Sequence, residues 1–202
     1  SSLPCEEDSN ISLLLEQLDN VLAVSYQTNP KQQRKLAQFQ SYFIFNDILE
    51  QYWTDGISDK DRLFYYPLYL WWQITAVLPL RPREFLLTQR NCLSEKNGKY
   101  FLTLRRNNLK GKEKSVSHKI SEDYYLTTYE IPDRLAQQIQ TYLDLTKDSS
   151  STKLDTLFVT DPHYKKWDKK TGVRNRFLTY TNLNTILRYF FNDVISDRYG
   201  YQ

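Results

Sequence analysis

The stretch "LPLRPREFLLTQ", residues 78–89, decides how the rest of the chain reads. An apolar run from Leu68 to Leu80 stops at Pro79; two arginines then flank Pro82, and Glu84 leads back into apolar residues. Proline is well placed at a first helical position, so a short helix is expected from Pro82. Upstream, "SDKDRLFYYPLYLWWQITAVL", residues 58–78, opens on a Ser58 cap signal and becomes mostly apolar, with Pro67 early in it. It reads as a central, buried helix. Arg81 and Arg83 are therefore set directly after the segment with the most buried pattern.

Working outward, "NISLLLEQLDNVLAVSY", residues 10–26, places apolar side chains at 11, 14, 15, 18, 21 and 22, one face of a helix. "KQQRKLAQFQSYFIFNDILEQYW", residues 31–53, has a second helical pattern. Downstream the texture changes. "KYFLTLRR" (99–106) and "YYLTTYEIP" (124–132) are rich in Tyr, Phe and Thr and read as strands. The polar, basic connector between them, residues 107–123, makes a hairpin with an extended, exposed tip. "DRLAQQIQTYLDLT" (133–146) is helical again, with Asp133 as its expected cap. "KDSSSTK" (147–153) reads as a flexible loop, "LDTLFVT" (154–160) as short and extended, and 161–176 as a basic loop. "TYTNLNTILRYFFNDVI" (179–195) is a final helix opening on a Thr cap.

The chain has 202 residues, 40% hydrophobic and 25% charged, which suits one globular domain, or one with an appendage. Its 16 Tyr, 10 Phe and 4 Trp supply enough large side chains for a sizeable core. No apolar segment reaches the ~18–20 residues of a membrane span. The acidic start "SSLPCEEDSN" does not open as a secretory signal does. The absence of Met implies a processed chain or an excised segment. Cys5 and Cys92 read as free thiols of a reducing compartment, which gives a cytoplasmic expectation. With His118 and His163 they show no metal-ligand spacing, so no metal is expected.

Net charge is only +3, but it is unevenly spread. Glu6, Glu7, Asp8, Glu16 and Asp19 make the first twenty residues acidic. Lys99, Arg105, Arg106, Lys110, Lys112, Lys114 and Lys119 face one acid, Glu113. Lys165, Lys166, Lys169, Lys170, Arg174 and Arg176 face Asp168. Two basic segments fit either a polyanion partner or a pair of solvated lysine-rich loops.

The order of elements now becomes specific: buried helix, "LRPREFL" turn into a second helix, β-hairpin with a lysine-rich tip, helix, "LFVT", helix. It resembles the catalytic domain of the tyrosine recombinases, the phage-integrase family. That family carries a T-G-L-R-x-x-E-L motif supplying its first catalytic arginine. "LPLRPREF" matches it with Arg81 at the arginine and Glu84 at the glutamate, while Leu78 and Pro79 stand where the family has Thr-Gly. The resemblance implies an α+β fold, mainly helical with a small antiparallel sheet. It implies residues 1–30 as linker or edge of an N-terminal core-binding domain and 31–202 as the first part of the catalytic domain.

The resemblance also implies a chemistry: breaking and rejoining double-stranded DNA through a 3′-phosphotyrosine, on a homotetramer, with no cofactor and no metal, in a bacterial or phage mobile element. Arg81 would hold the scissile phosphate, and Lys110 would be the hairpin general acid, with Lys112 and Lys114 as rivals. Arg83, Arg105, Arg106, Lys112, Lys114, His163, Lys165 and Lys166 would contact DNA. The physical chemistry agrees. A guanidinium forks onto phosphate and stays charged, and a lysine near the leaving oxygen donates a proton. Arg81 is expected to face a basic concavity shared with the hairpin, and Arg83 to point away or onto a neighbouring phosphate.

The family's His-x-x-Arg motif is not matched: His163 is followed by "YKK", which puts Lys166 where arginine is required. Two expectations follow. Either the chain stops before that motif, or Tyr199 and Tyr201 serve a compact site near His163. A non-catalytic DNA-binding module and a helical protein–protein adaptor are the alternative functions.

Overall fold

In the computed structural model, residues 39–107, 120–149, 155–165 and 177–201 are described. The expected helix over 10–26, the hairpin tip and Lys110, Lys112, Lys114 and Lys166 lie outside them. The chain divides into two compact units, Ser1–Phe45 and Asn46–Gln202. Of the first, residues 39–45 are the helical, mostly exposed start of α1 (Phe39–Thr54).

The second unit is built on α2 (Asp59–Val77), the expected central helix. Ser58 caps it by accepting the N–H of Asp61 at 3.1 Å, so the cap signal works as read. Phe64, Tyr65, Tyr66, Leu68, Tyr69, Leu70 and Ile74 are all at most 2% exposed. Aromatic rings from neighbouring elements seat on this helix. Trp53 stacks on Tyr69 at 4.1 Å, and Tyr52 meets Tyr65 edge-on at 5.7 Å. The last helix contributes Phe190, 5.6 Å from Tyr52.

A short helix, α3 (Pro82–Leu86), follows where Pro82 placed it. The sheet then has three antiparallel strands in the order β1-β2-β3: β1 (Leu93–Lys96), β2 (Lys99–Asn107) and β3 (Tyr124–Ile131). Only the last two carry a strand pattern in the sequence. The missing strand is made by Asn97 and Gly98, both at positive φ (54° and 70°), which is the backbone of a tight hairpin turn. Leu102 and Leu104 of β2 are fully buried, and their face is the inner one. Helix α4 (Ile120–Asp123) leads into β3.

Helix α5 (Asp133–Leu145) packs Leu135, Ala136, Ile139 and Tyr142 inward, one helical stripe. Its cap residue is Pro132, and Asp133 is the first helical residue, where its carboxylate still complements the helix dipole. The "LFVT" segment is not a strand. It meets the rest through one antiparallel bridge, Gln89 with Thr156, and Leu157 N–H to Thr88 O at 2.8 Å. Residues 161–165 of the expected basic loop form a helix, α6 (Asp161–Lys165). Thr179 caps α7 (Tyr180–Tyr189), as its sequence implied, and the helix runs on into a π-helical turn, Phe190–Ser196.

Candidate functional site

Arg81 is the residue at which α2 has ended and α3 begins. Leu78 N–H closes α2 on Ile74 O at 2.8 Å, and Arg81 is extended (φ −81°, ψ 146°) between Pro79 and Pro82. Glu84 fixes this corner. Its carboxylate is 4% exposed and takes donors from two separate elements. Oε2 accepts the Arg81 N–H at 2.9 Å, and Oε1 accepts the N–H of Asn107, the last residue of β2, at 2.8 Å. Arg106 Nη1 lies 3.3 Å from Oε2 and donates to Pro79 O at 2.8 Å. A buried carboxylate is stable only with such donors around it. Through them the start of α3 and the end of β2 are one rigid piece.

The side chains of Arg81 and Arg83 are exposed. Both lie within electrostatic reach of Tyr124, the first residue of β3. Burial raises the Tyr124 hydroxyl above its ordinary range; Arg83 and Arg81 oppose that, while Glu84 and Asp123 add to it. Between α3 and the sheet opens a cavity of about 480 Å³, lined by Pro79, Leu80, Arg81, Glu84, Arg106, Asn107 and Tyr125. Its exposed cation is Arg81, set on a locked backbone.

The other expected contacts are placed differently. Arg105 is half-buried and donates to Leu87 O at 2.6 Å, and burial lowers the pKa of its guanidinium. It braces α3 against β2. His163 is 7% exposed, with Nε2 3.0 Å from Asn182 Nδ2 and its ring stacked 5.7 Å from Phe64. It sits in the core between α2 and α7, not in a loop facing a phosphate. Lys165 closes α6.

One positioning residue had no sequence signal. Arg90 donates to Leu157 O (3.3 Å), Leu143 O (3.2 Å) and Thr146 Oγ1 (3.0 Å), pinning the end of α5 to the chain leaving α3. Tyr199, a nucleophile candidate, donates its hydroxyl to Asp55 Oδ2 at 2.8 Å, and Arg198 binds the same oxygen at 3.1 Å. Burial and the Asp55 bond hold the Tyr199 pKa above its usual value.

Among the described residues no three His, Cys, Asp or Glu side chains gather as a metal site, and no helix is long and apolar enough to cross a membrane. No protein family, curated protein or solved structure matches the chain.

Proposed function

We propose that the chain is a DNA-binding domain of the tyrosine-recombinase type, in which Arg81 holds a phosphodiester of the strand to be cut. The observation that carries this reading is the Glu84 lock. An exposed guanidinium follows a buried helix, and its backbone is tied to the hairpin strand by a buried carboxylate. Phosphate activation needs a guanidinium fork on a fixed base, and the tied backbone of Arg81 is such a base, with the bound phosphate ordering the side chain. The activity proposed is strand breakage and rejoining through a phosphotyrosine, on an oligomer of this chain, with a lysine of the hairpin as proton donor.

A non-catalytic duplex-binding module is the second reading. It is favoured by the Tyr199 hydroxyl, which donates to Asp55 and does not line the cavity of Arg81.

One set of measurements separates them. Duplex affinity is titrated against salt for the parent, Arg81→Ala and Arg81→Lys, and a nicked suicide duplex is tested for a covalent complex. The affinity is expected to fall with salt at about −0.9 per phosphate neutralised in log–log form, and Arg81→Ala to flatten that slope. A covalent complex lost in Arg81→Lys, with affinity kept, supports the recombinase. With the His-x-x-Arg motif unmatched, this chain alone is expected to give no covalent complex under either reading; salt-dependent binding whose slope is unchanged in Arg81→Ala supports the module. Binding that is flat in salt rejects both.

A further inference from the structure

Resting on the reading of Arg81 as a phosphate ligand, we infer that the cavity beside it takes an unpaired nucleotide, whose base stacks on Tyr125. Tyr125 lies directly opposite Arg106 across the β2–β3 pair, so both side chains share one face of the sheet. Alternation along β2 makes it the face of Leu102 and Leu104. Those leucines are covered, but at Tyr125 the cover ends: the residue is 52% exposed and lines the cavity. No hydrogen bond, ion pair or ring contact engages its side chain among the described residues.

Size and charge select the ligand. At about 480 Å³ the cavity has room well beyond one phosphate group. Beside its charged residues the wall is mixed: Pro79, Leu80 and the Tyr125 ring are its apolar part and Asn107 its polar edge. Arg106 is paired with Glu84 and Pro79 O, which leaves Arg81 as the cavity's unneutralised charge. One free positive charge suits a phosphodiester, which carries a single negative charge, better than a triphosphate. A ring-bearing wall with an amide at its edge, next to that charge, suits the nucleoside attached to it, which has both an apolar face and polar edges. A base inside a paired duplex presents no face to such a ring, whereas a turned-out or single-stranded base does.

The test is fluorescence anisotropy with a fully paired duplex, the same duplex carrying a one-nucleotide flap, and that flap made abasic. The proteins are the parent, Tyr125→Phe, Tyr125→Ala and Arg81→Ala. The parent is expected to bind the flapped duplex about tenfold tighter than the other two, the ordinary effect of one base on one aromatic ring. Tyr125→Phe keeps that ratio and Tyr125→Ala brings it to about one, with thermal melting unchanged because the side chain is exposed. Equal affinity of the parent for all three duplexes, or a preference that survives Tyr125→Ala, overturns the inference while Arg81 sensitivity stands. Affinities and salt slopes unchanged in Arg81→Ala overturn the phosphate reading, and the inference with it.

Discussion

The Glu84 carboxylate accepts the backbone N–H of Asn107 at 2.8 Å, across 23 positions of sequence. With its bond to the Arg81 N–H, it makes the helix corner and the end of β2 a single unit. Removing one partner of a buried charged cluster costs about 3–5 kcal/mol. Glu84→Ala is therefore expected to lower the melting temperature by roughly 6 °C or more, at ~2–4 °C per kcal/mol for a chain of this size. Glu84→Gln keeps one acceptor and loses less, about 1–3 kcal/mol. Equal melting of the parent and both variants would show that the carboxylate is not what joins the two elements.

Arg105 and Arg81 should separate cleanly in mutagenesis. Arg105→Ala strips the charged donor from Leu87 O, with an expected cost of about 1.5–3 kcal/mol in urea unfolding. Arg81→Ala removes an exposed side chain and should change stability by less than about 0.5 kcal/mol. The reverse ranking would mean that Arg81 is the structural brace.

Gly98 sits at φ +70°, and a β-carbon added there would touch nothing within 4 Å. The cost of Gly98→Ala is then backbone strain alone, about 1–2 kcal/mol. Asn97→Gly, at φ 54°, relieves strain and is expected to be neutral to within a few tenths of a kcal/mol. Chemical denaturation of the two variants checks this, and a stable Gly98→Ala protein would contradict the turn.

Alkali should unfold the protein in a defined window. Burial pushes the Tyr52 and Tyr66 hydroxyls and the Cys92 thiol up to about 12. Unfolded tyrosines ionise near ~10 and thiols near ~8.5, so above those values the unfolded chain releases protons that the folded one keeps. Stability is full below the unfolded values and is lost as pH rises towards about 12. Urea midpoints at pH 8, 9.5 and 11 should fall in that order, with late tyrosinate absorbance accompanying unfolding. A midpoint constant to pH 11 would place these groups at the surface.

What was legible in the sequence is what local chemistry dictates. Ser58, Thr179 and Pro82 mark helix starts because a hydroxyl cap and a fixed φ act within one turn. The apolar run of α2 announced its burial for the same reason. β1 was legible too, through Asn97-Gly98, but its four residues carry one partly buried side chain and no alternation. The site was half legible. That Arg81 follows a buried helix is a matter of order along the chain. That Glu84 would reach Asn107, Arg105 would turn to Leu87 O, and His163 would enter the core beside Phe64 depends on which distant segments meet. No local pattern encodes that choice.

Asp55 binds Arg198 and Tyr199, 143 and 144 positions away, close to where Phe190 seats against Tyr52 and Tyr65. The order of synthesis turns this geometry into a timing problem. At about 5–20 residues per second, the ribosome takes roughly 7–30 s to go from Asp55 to Arg198. Throughout that interval the aromatic side chains of α1 and α2 have been made, while the segment that covers them has not. Early and late segments must both be present before the core closes, so α1 and α2 cannot complete it by themselves. During that interval the nascent chain carries an aromatic surface that invites chaperones, or its neighbours.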